Sequence, residues 1–307
     1  MNENNNLDNN IEEQNSSPVS TLNNKILISG LGIFILGVLF FVSIIPDNFN
    51  IFKKSKTTIP VTNEDFKKAR EVFTINPSMS KDLLENALTE VGTDSEEEGY
   101  IKLYLGTILL SDDKNQGIAL LKQVSLNEKY LPMTRSSAIN NLALFYDANR
   151  DEITANQIFS GPVWDGFYDR SLKEKHVALF NAGLKALEWS FEIHPNYLAY
   201  YRAASMYGLI LYVSDSKERK SLYADTITRY IEKGDAELKE TLNVRNDPEN
   251  YVSQVVNGLL YKAAALEQLY LYTKNGGILP IISSTYPDAG DLLEENKDVY
   301  KARVLSG

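Results

Sequence analysis

The sequence predicts an all-α protein: a single membrane-crossing helix followed by an array of paired helices. Three observations carry that prediction. Ile26 to Ile45 is a run of twenty residues without a charge. Leu, Ala, Tyr, Glu and Lys are abundant, while 17 Gly and 10 Pro supply few turn signals for a β fold. After residue 62, apolar residues return at helical spacing between capping residues and polar turns.

Residues 1–24 are crowded with Asn, Glu, Asp, Ser and Gln. They have too few apolar groups to offset chain entropy, which predicts a disordered polar tail. As a helix, residues 26–45 would be about 30 Å long, the thickness of a bilayer's hydrocarbon core. The run is long for a signal-peptide core, and no small-x-small cleavage site follows Ser43-Ile44-Ile45. An uncleaved, single-pass anchor in a bacterial cell membrane is therefore expected. Gly30, Gly32 and Gly37 lack the spacing of a GxxxG dimer face. Lys25 precedes the run, and Lys53, Lys54 and Lys56 follow it. That bias favours a cytoplasmic C-terminal domain, whereas a short tail before one bacterial span favours an external one, so the side stays open. Residues 46–62, with Pro60, read as a linker to a helical domain over 63–307.

In that domain Asn63 is placed to cap a first helix through Phe66, Ala69 and Phe73, ended by Asn76-Pro77. Ser80 is expected to cap a second, with the stripe Leu83, Leu84, Ala87, Leu88 and Val91 and a stop at Gly92. Ser95 and Glu98 have capping-box spacing. The acidic run Glu96-Glu97-Glu98 reads first as a helix start and secondarily as a partner patch. The helix it opens holds Tyr100, Ile101, Leu105, Ile108 and Leu109, and a polar turn, Ser111 to Gln116, leads to Ile118 and Val124.

Ile139, Leu142, Ala143, Tyr146, Ala155 and Phe159 then follow at the offsets of the tetratricopeptide signature, which the chain resembles from Tyr100 to Ser160. A looser unit precedes it: Leu105, Gly106, Leu109 and, displaced by one residue, Ala119. Gly106 to Ala143 is 37 residues and Ala119 to Ala155 is 36, near the family's repeat length. Small residues let paired helices approach, and bulky ones fill the gaps between units. Gly161-Pro162-Val163-Trp164 follows, where the family's closing Pro is absent. The resemblance implies a TPR-like helical-repeat (α-solenoid) fold.

Further helices are predicted over Ser171 to Glu192, Tyr197 to Val213, Ser216 to a stop at Gly234, and Pro248 to Tyr272, with Asn275-Gly276-Gly277 ending the last. Pro280 makes Ile278 to Ile282 a loop, or alternatively an extended strand. Asp291 to Val304 reads as a charged terminal helix that closes the stack.

A formal net charge of −10 argues against nucleic acid, which needs clustered Lys and Arg. Without cysteine there is no thiol nucleophile or thiolate metal site. No phosphate loop, dinucleotide fingerprint, nucleophile elbow or metalloprotease pair occurs. Asp147 to Asp151 starts like a calcium loop, but Glu152 stands where glycine is required and Ile158 where a bidentate Glu belongs. His176 and His194 read as structural. No catalytic residue, metal, cofactor or small-molecule substrate is expected. Tyr197, Tyr200, Tyr201, Tyr207 and Tyr212 crowd one helical region and form the candidate partner-binding surface, since tyrosine joins a large apolar face to a polar tip. The expected function is a membrane-anchored adaptor or scaffold for a protein or peptide. One anchor followed by such repeats resembles the ancillary Sec-translocon subunits of bacteria, which implies membrane-complex assembly or secreted-protein folding. The alternative is a structural subunit of an envelope or secretion assembly without a client groove.

Overall fold

The computed structural model describes residues 62–73, 76–213, 216–244 and 252–295. Helix α1 (Glu64–Val72) begins where Asn63 accepts a hydrogen bond from the Phe66 amide at 2.9 Å. Its buried Phe66 and the following Phe73 meet Tyr104 edge-on, at 5.7 and 5.0 Å between ring centres. Helix α2 (Pro77–Glu90) starts earlier than expected. Asn76 is its cap, accepting from the Met79 amide, and Pro77 needs no N–H partner in the first turn. Ser80 is instead buried inside the helix, its hydroxyl donating to the Ala69 carbonyl at 2.9 Å.

Helices α3 (Glu96–Asp112) and α4 (Lys114–Leu126) are joined by Asp113 alone, which ends one and caps the other, so the expected six-residue turn contracts to one residue. The close approach within this pair belongs to Gly117 rather than to Ala119, which is exposed. A Cβ on Gly117 would stand 2.6 Å from the Leu110 amide nitrogen and 2.9 Å from the Gly106 carbonyl oxygen.

In α5 (Pro132–Ala148) and α6 (Glu152–Ile158), five of the six signature residues are fully buried and Phe159 is 2 % exposed. Asp151 caps α6 through the Thr154 amide, so the acidic segment 147–151 is the junction of a helical pair. A non-helical stretch follows, pinned by Trp164, which packs against Phe159, Phe167 and Trp189. Then come α7 (Lys175–Ile193), α8 (Tyr197–Val213), α9 (Lys217–Val244) and α10 (Val252–Thr273). A single 3-10 turn, Gly276–Ile278, leads to α11 (Leu279–Glu295).

Two further expectations change here. Helix α9 runs through Gly234, which serves a close contact instead of a stop. Ile278 to Ile282 is neither loop nor strand but the entry to α11, whose first turn accommodates Pro280 because that position needs no intrahelical donor. The expected terminal helix over Asp291 to Val304 thus begins at Leu279, and its part beyond Glu295 lies outside the described residues.

Successive helices pack on one another, α5 also packs on α7 across the short α6, and α8 touches α7, α9 and α10. The described residues form one all-helical, helical-repeat-like unit, compatible with an α-solenoid. The membrane-crossing helix expected in the fold class is corrected. Among the described residues no helix is long and apolar enough to cross a membrane. The reason is compositional: α7 carries Lys175, Lys185, Glu188 and Glu192, α9 is charged throughout, and α10 holds Lys262 and Glu267. Ile26 to Ile45, the polar tail over 1–24 and the linker up to residue 61 lie outside the described residues.

Candidate functional site

The structure brings most of the candidate tyrosines to the crossings of α8 with α7, α9 and α10, but mainly as packing groups. Tyr197, Tyr200 and Tyr201 are buried, Tyr207 is half-buried, and the Tyr212 side chain lies outside the described residues. Tyr200 stacks on Phe191 of α7 at 4.4 Å, and Tyr230 of α9 meets Phe191 edge-on at 5.2 Å. The Tyr201 ring fits between Gly234 of α9 and Gly258 of α10. A Cβ on Gly234 would come within 2.5 Å of it. Its hydroxyl donates to Asp235, which Lys262 of α10 also reaches at 2.7 Å. Burial, then this carboxylate, pushes the Tyr201 hydroxyl far above its usual range.

The half-buried part of the cluster centres on Glu188 of α7. Tyr207 of α8 and Tyr230 of α9 both donate to its Oε1, at 2.8 and 2.7 Å. Tyr223 of α9 lies beside Tyr207, with ring centres 5.4 Å apart. Burial and then the Glu188 charge raise the Tyr207 and Tyr230 hydroxyls well above 10, so both remain donors at any physiological pH. One carboxylate thus ties three helices together and stays partly open to water.

A second polar node lies at the contact of α5, α8 and α10. Arg202, 2 % exposed, donates to Asn140 Oδ1 at 2.5 Å and to Asp147 Oδ2 at 3.0 Å, and lies 5.9 Å from the Tyr261 ring. Arg150 shares Asp147 at 3.3 Å and stacks on Phe180 at 4.1 Å. Sequence reasoning missed both nodes. The signal for Arg202 was present: it is the one charge in the seventeen apolar and small residues of α8. Glu188 carried no such mark, because α7 has other charges and only the fold aims tyrosines at this one.

The acidic run resolves into three separate duties. Glu97 accepts from the Thr62 and Asn63 amides at 2.8 Å, ahead of α1. Glu98 accepts from the Asp94 amide, from the Tyr130 hydroxyl at 2.8 Å, and from Lys102 at 2.9 Å. Burial raises the Glu96 carboxyl. Of the capping box, Ser95 caps the Glu98 amide, while the Glu98 carboxylate returns to Asp94 rather than to Ser95. His194 ends α7, and burial lowers its imidazole below 6.5; His176 is exposed. Among the described residues no group of His, Cys, Asp and Glu could hold a metal ion. No protein-family model, curated protein or solved structure matches the chain.

Proposed function

We propose that this protein is an adaptor or scaffold of the tetratricopeptide-like class, which binds a segment of a partner protein and performs no reaction itself. The observation that carries the reading is a division of roles along the array. The six signature positions are buried and face the interior, whereas the tyrosine–carboxylate crossing of α7, α8 and α9 combines aromatic rings and a charge that solvent still reaches. Stacked helical pairs present extended surfaces, and tyrosine contributes strongly at the centres of protein interfaces. The net charge of −10 favours a neutral or basic protein partner over nucleic acid. Such an adaptor serves in assembling complexes or in the folding of secreted proteins.

Chemical crosslinking in cells, followed by identification of what co-purifies with the full chain, tests this. The expected result is one or a few proteins that recur and are displaced by excess free array. Recovery of nothing specific overturns the adaptor. Stable incorporation into a large assembly through an apolar outer face favours a structural subunit instead.

A further inference from the structure

Glu188 is held by neutral groups from two other helices. Both tyrosine hydroxyls fall on Oε1, and two donors fill that oxygen's lone pairs. Among the described residues no hydrogen bond or ion pair engages Oε2, and no cation forms an ion pair with this residue. The nearby cations lie against the tyrosines, and Arg229 also acts on the Tyr230 hydroxyl, favouring its ionised form. The Arg229 guanidinium carbon is 5.4 Å from the Tyr230 ring centre, and the Lys233 ammonium is 5.7 Å from that of Tyr200. A partly desolvated carboxylate is costly until a cation pairs with it. Glu188, Tyr207 and Tyr223 are each half-buried, so solvent reaches the group, and Leu222, next to Tyr223 in sequence, is 61 % exposed.

The open valence also selects among cations. A guanidinium binds a carboxylate best through both oxygens at once, and Oε1 is already filled. An ammonium needs one oxygen, and its aliphatic stem packs on aromatic surface. We propose that Glu188 is the anchor for a lysine side chain of the partner, pairing its ammonium through Oε2 while Tyr207 and Tyr223 flank the stem. This rests on the partner-binding reading above and names the chemistry the partner must supply. Attraction of the ammonium to the ring faces adds to the ion pair.

Butylammonium, which reproduces the end of a lysine side chain, can be titrated into the whole protein while the tyrosine ring protons are followed by NMR. Butanol is the uncharged comparison and propylguanidinium the arginine-like one. Saturable shifts at Tyr207 and Tyr223 are expected with butylammonium, at least about tenfold weaker with either comparison. Glu188→Gln still accepts both hydroxyls and should abolish the response with an unchanged helical spectrum. Tyr207→Phe leaves the carboxylate and should weaken the response without removing it. Equal binding of all three probes, or a response that survives Glu188→Gln, overturns the site. So does binding that appears only in Arg229→Gln, which would make Arg229 the carboxylate's own mate. The probe needs no partner, so the two readings fail separately. A silent titration beside a crosslinked partner removes only the lysine site, and a positive titration with no partner removes only the adaptor.

Discussion

At Gly234 the helix has no side chain because the ring of Tyr201 occupies that volume. Gly234→Ala adds about 1 kcal/mol of helix propensity. It also forces a methyl to 2.5 Å from a fully buried aromatic carbon, and overpacking of this kind costs about 1–3 kcal/mol. The variant should therefore unfold at lower urea concentration than the parent. Gly166→Ala, whose Cβ would meet open space, should not. Glu98 gives a pH test. Burial opposes its ionisation, but bonds from Lys102, Tyr130 and the Asp94 amide outweigh that and lower its carboxyl below 4.5. A lowered folded value means stabilisation that is present above 4.5 and lost as the pH falls below it. Urea midpoints of the parent and of Glu98→Gln should differ at pH 7 and converge towards pH 3.

Among the elements, Asp113 joins two helices with a single residue. Its carboxylate accepts from the Gln116 amide at 3.1 Å, and Asp113→Ala should cost about 1 kcal/mol through loss of that cap, measured by thermal denaturation. Elements were the most legible part of the fold. Asn63 and Ser95 cap where they were expected to, and the signature from Ile139 to Phe159 marks buried packing positions. What misled were residues whose meaning depends on a distant neighbour. Gly234 reads as a helix stop until Tyr201 is placed against it. Pro280 reads as a breaker until a turn from Gly276 makes it the second residue of a helix. Ala119 reads as the small residue of its unit, yet Gly117, two positions earlier, carries the contact. Ser80 looked like a cap because its local sequence permits one, and Asn76 took that role.

For the whole molecule, the described chain is a stack of helices tied crosswise by a few polar nodes, Arg202 with Asp147 and Glu188 with its tyrosines. The apolar run from Ile26 to Ile45 dominates the sequence but has no counterpart among the described helices, none of which is long and apolar enough to cross a membrane. The crowding of tyrosines on α8 marks the region of the candidate site in the sequence. Its chemistry is not marked there, because the carboxylate that organises it comes from α7 and most of the expected rings turn inward. Cooperative unfolding should depend on these crossings. Leu142→Ala, fully buried in α5, should cost about 2–5 kcal/mol by urea denaturation, more than any surface change on α2. The adaptor reading requires that a partner be recognised at the crossing of α7, α8 and α9. A photocrosslinking residue at exposed Leu222, compared with the same residue at exposed Glu85 on α2, tests it most directly. A discrete product of defined mass, identified as one protein and formed only from position 222, is the predicted result. Equal products from both positions, or none from 222, would contradict it.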